Sequence, residues 1–331
     1  PQGLMYGADA GGVISIHTTA AETGFHGNGQ AEFGRYGTQQ FSGGLGGGNG
    51  SVDYRVMASD FETDGFNARD TDNVLKDDDG YENTTLHGRI GWNPSENLRL
   101  QLVARDVDTE GEYDGCFTNA FAPSDDCSNE IEQQAWRASA DYDIGRTSHQ
   151  LAYSGSETER QAYTEGAPTF GSEGDRERWT YLGSVRGADW LRLVYGVDLL
   201  TESLDDGTFD RERDQDGYYL EYQGEFAGNL YLTAGARYDD NEDYGSHTTW
   251  RTSAAYVIPL SGGELKLRGT YGTGFRAPSL YEIAYNDGFF AFPPASETKL
   301  KEEESEGLDM GAAWYGCLLY TSDAADEVVP V

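Results

Sequence analysis

The chain has 331 residues and a formal net charge of −35. This acidic balance argues against nucleic-acid binding, which needs clustered basic side chains, while 44 glycines and 22 tyrosines against 9 prolines favour many short strands over helices. No apolar run approaches the ~20 residues of a membrane-spanning helix, which leaves a soluble protein or a membrane barrel, because barrel strands alternate apolar and polar residues.

The chain opens with a glycine-rich, turn-forming segment that leads into a short apolar strand. Residues 1–18 read PQGLMYGADAGGVISIHT, in which residues 12–16 are strand-like. Everything that follows is a long series of alternating strands. The change of pattern divides the chain into residues 1–20 and residues 21–316.

From residue 25 onward, apolar and polar residues alternate with period two, which places one kind on each face of a strand. Val52, Tyr54 and Val56 share one face, and Asp53 and Arg55 take the other. The same alternation recurs at 86–92, 98–105, 136–144, 179–185, 191–199, 218–226, 230–238, 250–258 and 265–271. The pattern predicts an all-β protein with about fourteen antiparallel strands.

The lengths of the connections distinguish a membrane barrel from a soluble β-sandwich. Short connections lie at 47–50, 93–97, 144–147, 186–189, 224–229 and 259–263, and long ones at 60–82, 106–130, 156–176, 201–215, 239–247 and 275–303. Short turns on one side and long loops on the other, with Trp92 and Trp136 at strand ends, are typical of outer-membrane barrels. We therefore predict a transmembrane antiparallel β-barrel whose long loops lie on the extracellular side.

The strand pattern stops after Gly316. Residues 317–327 read CLLYTSDAADE, which resembles a translated sequencing adapter, and we expect residues 317–331 to be an artefact. Excluding Cys317 leaves Cys116 and Cys127 in one polar loop. They either form a disulfide, which would imply an oxidising compartment, or bind a metal as a thiol pair. The absence of a nearby histidine or further cysteine favours the disulfide.

Three segments resemble TonB-dependent outer-membrane receptors. Residues 6–14, YGADAGGVI, resemble the end of the plug domain, and residues 271–282, YGTGFRAPSLYE, are similar to the barrel signature. Residues 300–305, LKEEES, resemble the run before the next strand, with Glu302 in place of the usual proline. The resemblance implies a plug inside a barrel of about 22 strands, of which this chain would hold the last plug strand in residues 1–20 and about fourteen barrel strands.

Within this family, residues 239–241 and 244–254 resemble the branch that imports cobalamin. The likeness also implies a calcium site formed by Asn67, Asp77, Asp79, Tyr113 through its backbone, Asp114, and Asp125 or Asp126. Calcium prefers about six to eight hard oxygen ligands, which clustered carboxylates supply. Asn67 stands where the family has an aspartate and lowers the charge of the site. A solvated acidic loop is the alternative, because residues 76–80 are also an ordinary turn sequence.

The resemblance implies energy-coupled import across the bacterial outer membrane, with cobalamin as the first substrate and a ferric siderophore as the second. The ligand would bind to the plug and to the extracellular loops at about 60–82, 106–130, 156–176 and 275–303. The implied partners are the TonB–ExbB–ExbD complex and outer-membrane lipid and lipopolysaccharide. A passive porin-like barrel explains the alternation but not the opening segment. We expect no catalytic residues, because no grouping of serine, histidine and acid stands out. Arg276 is expected to face the ligand or to pair with carboxylates of the plug.

Overall fold

The computed structural model describes Leu4, Gly7 and residues 23–67, 69, 77–188, 190–289 and 291–316. The strands are β1 (Gly24–Phe33), β2 (Gln39–Gly48), β3 (Val52–Phe66), β4 (Asp79–Ser95), β5 (Leu98–Tyr113), β6 (Cys116–Phe117), β7 (Pro123–Ser124), β8 (Cys127–Ile144), β9 (Thr147–Thr164), β10 (Ala167–Ala188), β11 (Leu191–Asp205), β12 (Asp210–Phe226), β13 (Leu230–Asn241), β14 (Gly245–Leu260), β15 (Gly263–Arg276) and β16 (Glu303–Gly316). One helix, α1 (Leu280–Asp287), lies between β15 and β16.

Fourteen of these strands form one antiparallel sheet in chain order, and β6 and β7 form a separate small hairpin. Each long strand pairs with the next long strand along the chain, which confirms the predicted all-β barrel wall and its strand number. Among the described residues, β1 and β16 each have one neighbour in this sheet, so the wall is a partial barrel. No helix in the described part of the chain is long and apolar enough to span a membrane.

The sheet is inside out compared with a soluble protein. On β3, Asp53 is 7% exposed, whereas Tyr54 and Val56 are 40% and 49% exposed. On β13, Arg237 and Asp239 are 3% and 0% exposed. Exposed apolar residues on one face and buried charged residues on the other are what a lipid-facing wall with a polar interior requires. The arrangement excludes the soluble sandwich, whose apolar face would be buried.

Three of the predicted long loops are mostly strand. Residues 156–176 form the ends of β9 and β10, which are joined by Glu165 and Gly166 with φ values of 53° and 71°. Such a left-handed pair suits a tight hairpin turn. Likewise, only residues 206–209 join β11 to β12 and only residues 242–244 join β13 to β14. The prediction of long loops failed because these strand ends carry polar residues on both faces. The alternation of apolar and polar residues therefore disappears there, although the backbone hydrogen bonds between the strands continue.

The other predicted loops persist in shortened form. Residues 67–78 join β3 to β4, residues 114–126 join β5 to β8 and include the β6–β7 hairpin, and residues 277–302 join β15 to β16 and include α1. Predicted loops 60–82 and 106–130 were too long at both ends, because β3 continues to Phe66 and β5 to Tyr113.

Candidate functional site

Helix α1 folds the last long connection back onto the wall. The Ser279 hydroxyl accepts a hydrogen bond from the Glu282 backbone N–H at 3.2 Å, and the Glu282 carboxylate accepts one from the Ser279 backbone N–H at 2.8 Å. This capping box starts the helix. The buried residues of the helix are Leu280, Ile283 and Ala284. Tyr281 and Tyr285 lie one turn apart and are 54% and 62% exposed, so α1 presents an aromatic face away from the wall.

Arg276, at the end of β15, holds α1 against β16. Its guanidinium donates to the Glu282 carboxylate at 2.9 Å and to the Glu303 carboxylate at 2.6 Å. The hydrogen bonds from Arg276, followed by those from Ser279, lower the pKa of Glu282 to about 2. Both partners belong to the barrel's own loop and next strand. The plug carboxylates expected to pair with Arg276 would lie in residues 1–20, outside the described residues apart from Leu4 and Gly7.

A buried network of charges lies on the inner wall of β10, β11 and β13. Arg237 Nη1 lies 2.7 Å from Asp198 Oδ2, and Arg237 Nη2 lies 2.8 Å from Asp239 Oδ1. Arg178 Nη2 forms an ion pair with the other oxygen of Asp198 at 3.0 Å. Arg178 and Asp198 share the inner face of neighbouring strands and lie two residues apart in the register, because Asp198 pairs with Thr180. Buried charges need such partners, because an unpaired one costs several kcal/mol.

A second buried arginine connects the wall to the α1 connection. Arg213 on β12 forms an ion pair with Glu202 on β11 and donates to the Pro278 carbonyl at 2.8 Å. Asp243, in the turn after β13, lies 3.6 Å from the same guanidinium. Arg213 therefore fixes where residues 277–279 cross the inner wall.

The opening segment of the chain contacts this network. Arg237 Nη1 donates to the Leu4 carbonyl at 3.3 Å, and Leu4 is 3% exposed. Its side chain packs against Val194 and Tyr219. Gly7 lines a cavity of about 230 Å³ whose other walls include Arg213, Arg237 and Arg276. Leu4 and Gly7 thus lie against the inner face of the sheet, beside the charge network and close to residues 276–279.

The predicted calcium residues lie in the loops after β3 and β5. Burial raises the pKa of Asp77, and the negative charges of Asp79, Glu112 and Asp126 raise it further. These carboxylates therefore lie close enough to repel one another. Of the two alternatives for the last position, Asp125 forms an ion pair with Arg69 at 3.0 Å.

The candidate ligands do not form a closed cage. Within the described residues, the three carboxylates whose oxygens lie within 4.8 Å of one another are Glu157, Glu173 and Asp175. They lie on the outer face of β9 and β10, away from the loops of Asn67, Tyr113 and Asp114.

Cys116 and Cys127 form a disulfide with a Cα–Cα distance of 6.0 Å. The bond closes the loop that contains the β6–β7 hairpin and ends where β8 begins. It confirms the pairing preferred from the sequence. The disulfide fixes Asp125 and Asp126, which immediately precede Cys127, next to the end of β5, where Tyr113 pairs with Cys127.

Comparison with known proteins identifies the family to which this fold belongs. Residues 17–324 match the family model described as TonB dependent receptor-like, beta-barrel. The vitamin B12 transporter BtuB of Photobacterium profundum is 28% identical over 316 residues, which cover 92% of this chain and 48% of that protein.

Two solved structures share the fold. The siderophore receptor PirA from Acinetobacter baumannii has a TM-score of 0.70 at 15% identity, over 91% of this chain and 52% of that one. The copper transporter OprC has a TM-score of 0.71 at 17% identity, over 96% and 56%. The chain therefore spans about half the length of the relatives that it matches.

Proposed function

We propose, from the premise that this chain belongs to the TonB-dependent receptor family, that it forms part of the barrel of a receptor that imports cobalamin. The family consists of outer-membrane transport proteins and not of enzymes, so the outer membrane is where this chain works. Its inside-out wall, with Tyr54 and Val56 exposed and Arg237 buried, suits that location.

The observation that supports import most strongly is the position of Leu4. A polar interior large enough for a ligand path needs something to close it. Leu4 is held on the inner wall by the Arg237 hydrogen bond and by packing against Val194 and Tyr219. We interpret residues 1–20 as the end of a plug, of which Leu4 rests on this wall. Its displacement by a TonB–ExbB–ExbD complex would open the path without covalent chemistry.

Cobalamin is the first substrate because the relative with 28% identity over most of this chain is a vitamin B12 transporter. The exposed aromatic face of α1, with Tyr281 and Tyr285, offers apolar contact area to a large ligand at the mouth of the barrel. A ferric siderophore is the second candidate, favoured by the arginines of the inner wall, which suit the negative charge of many ferric chelates.

Binding assays on outer membranes that contain the complete receptor separate these substrates. Cyanocobalamin is expected to bind, and to compete for uptake only with other corrinoids. Binding of a ferric siderophore together with no binding of cyanocobalamin would refute cobalamin as the substrate and leave the family function standing. Passive, energy-independent flux of small solutes would refute import by plug displacement and favour a porin-like barrel.

Calcium is a further proposal for the loops after β3 and β5. Asn67, Asp77, Asp79, Asp114, Asp126 and the Tyr113 carbonyl would supply its oxygens. Burial raises the pKa of Asp77, and the nearby carboxylates raise it further; this repulsion supports the proposal, because a divalent cation would relieve it. Bound calcium would order the two loops against each other. The test is calcium titration by calorimetry: Asp77→Asn with Asp79→Asn should abolish the binding heat, and the acidic outer-face variant Glu173→Gln should leave it unchanged.

A further inference from the structure

The wall opens between β14 and β15 at the end that carries α1. The backbone pairing of the two strands stops at Arg251 and Gly272. Beyond this point β14 continues as the partner of β13, and β15 as the partner of β16. The Trp250 backbone N–H donates a hydrogen bond of 3.1 Å to the Thr273 hydroxyl at the edge of the opening. The two strands therefore run on without pairing to each other, and a cavity of about 330 Å³ lies between them and β16.

His247 on β14 reaches across this opening. Its ring stacks on the ring of Phe275 on β15, with the centroids 3.9 Å apart and the planes 11° apart. The Nε2 atom lies 2.9 Å from the Tyr244 backbone carbonyl. A carbonyl oxygen accepts hydrogen bonds and cannot donate them, so Nε2 carries a proton, and Nδ1 is the acceptor in the neutral ring. The orientation and the tautomer of the His247 ring are therefore both fixed.

The Nδ1 atom of His247 faces a carboxylate. It lies 3.9 Å from Glu304 Oε1 on β16, and no hydrogen bond joins it to any residue that the structure describes. In the neutral ring both atoms present lone pairs to each other, so the pair needs a cation between them. A histidine that binds a metal usually donates its other ring N–H to a carboxylate, a backbone carbonyl or water. His247 and the Tyr244 carbonyl have this arrangement.

The other described histidines do not combine these features. His149 on the outer face has both ring nitrogens hydrogen-bonded, Nδ1 at 2.8 Å from the Tyr181 hydroxyl and Nε2 at 3.1 Å from the Thr147 hydroxyl. Among the described histidines, His247 is the one whose ring nitrogen lies opposite a carboxylate. The arrangement is therefore specific to the opening between β14 and β15.

The cavity offers further oxygen atoms and no competing positive charge. Glu306 lies two residues after Glu304 on the same strand, lines the same cavity and is exposed, so its carboxylate is free to rotate. Thr249 also lines the cavity; it is 2% exposed, and its Oγ1 atom has no hydrogen-bond partner among the described residues. None of the described lining residues is a lysine or an arginine. The opening therefore combines one ring nitrogen, two carboxylates and a hydroxyl that can hold an ion-bound water.

We propose that this opening binds a divalent transition-metal ion of the zinc type through His247 Nδ1 and the carboxylates of Glu304 and Glu306. An imidazole together with carboxylates suits such ions, whereas calcium and magnesium prefer oxygen ligands alone. Zinc bonds to nitrogen and oxygen are each about 2.0–2.2 Å long, so the 3.9 Å between Nδ1 and Glu304 Oε1 leaves room for one ion. Three protein ligands with water in the fourth position are usual for an open zinc site.

The bound ion joins β14 to β16 across the end of β15, where backbone pairing is missing. The start of β16 is already fixed, because Glu303 accepts a hydrogen bond from Arg276 at 2.6 Å. The ion therefore links the free end of β14 to a fixed strand and closes the opening in the wall.

The test is titration of the complete receptor in lipid vesicles with zinc ions, followed by calorimetry. The pH is held about one unit above 6.5, the ordinary pKa of histidine, and excess calcium fills sites made of oxygen alone. His247→Gln and, separately, Glu304→Gln should each weaken zinc binding at least about tenfold, the loss that changing even a hydrogen-bond partner of a ligand causes. His149→Gln is the matched control and should bind zinc like the wild type. Glu304 is 76% exposed, so Glu304→Gln remains a valid test if His247→Gln fails to fold.

Hydrogen exchange separates a metal ion from a proton at this pair. A bound ion predicts that zinc slows the exchange of the amides at 245–250 in the wild type and has no effect on them in His247→Gln. If the pair holds a proton alone, zinc will bind the wild type and both variants with equal affinity, and exchange will change with pH and not with zinc. That result would overturn the proposal. Zinc binding that is lost in Glu173→Gln and kept in Glu304→Gln would also overturn it, because the ion would then lie at the acidic group on the outer face.

Discussion

Asp239 provides the sharpest test of the buried charge network. Its side chain is fully buried and lies 2.8 Å from Arg237, which is 3% exposed and has Asp198 as its only other ion-pair partner among the described residues. Asp239→Ala removes one of the two carboxylates and leaves Arg237 buried with the other. Breaking a buried pair in this way costs about 3–5 kcal/mol. Because Asp198 remains 2.7 Å away, we expect the lower end, about 3 kcal/mol of unfolding free energy.

The assay is urea unfolding of the complete receptor in lipid vesicles, followed by tryptophan fluorescence. Arg35→Gln is the control, because Arg35 is exposed in the turn between β1 and β2, outside the network, and its loss should cost less than about 1 kcal/mol. Asp239→Ala should also expose the opening segment to protease, since Arg237 holds the Leu4 carbonyl. A loss below about 1 kcal/mol for Asp239→Ala, equal to that of Arg35→Gln, would refute the network as a source of stability.

Three further predictions concern the loops. Because the pKa of Glu282 is lowered, its ion pair with Arg276 stabilises α1 above pH 4.5, and this contribution is lost as the pH falls from 4.5 towards 2. The rate of hydrogen exchange in α1 should therefore rise over that interval in the wild type. It should not rise in Glu282→Gln. Ser279→Ala removes the cap and should cost about 1 kcal/mol of helix stability, with Ser279→Thr nearly neutral, by the same exchange measurement. Cys116→Ser with Cys127→Ser should destabilise the loop by about 3 kcal/mol, which should be seen as faster proteolysis between the two positions. As the internal control, the wild type with its disulfide reduced should be cleaved at the same rate as the variant.

The strands of the wall could be predicted from the sequence, because each strand of a membrane barrel alternates apolar and polar residues along its own length. Alternation such as Val52, Tyr54 and Val56 against Asp53 and Arg55 depends on neighbours along one strand, and the structure places these residues on the expected faces. The same dependence explains the failure at 156–176. There Glu157, Glu159 and Glu173 occupy the outward positions beyond the lipid, so the apolar signal ends although β9 and β10 continue.

The charge network could not be predicted, because its partners come from different strands. Arg237, Asp198 and Arg178 were visible as polar-face residues, but their meeting depends on the register of β10, β11 and β13. A charged residue in the middle of an alternating strand was the available signal. The partners of Arg276 were missed for a related reason: Glu282 lies in a helix that composition alone does not reveal, and Glu303 lies beyond that helix on the next strand.

The calcium ligands and the plug boundary at residue 20 stay predictions. The calcium set came from resemblance, and the described loops bring Asp77, Asp79 and Asp126 near one another without enclosing a site. Of residues 1–20, the structure describes Leu4 and Gly7. The predicted artefact at 317–331 lies outside the described residues, and the family match continues to residue 324.

The most direct measurement is a reversible cross-link between the opening segment and the wall. Leu4→Cys and Val194→Cys replace two side chains that pack together, and Val107→Cys, buried on β5, replaces Val194→Cys as the distant control. Import by plug displacement predicts that the Leu4–Val194 pair forms a disulfide, that energised uptake of cyanocobalamin stops, and that a reducing agent restores it, while the control pair transports normally. Uptake that continues at the wild-type rate with the cross-link formed would contradict the claim that this segment must leave the wall.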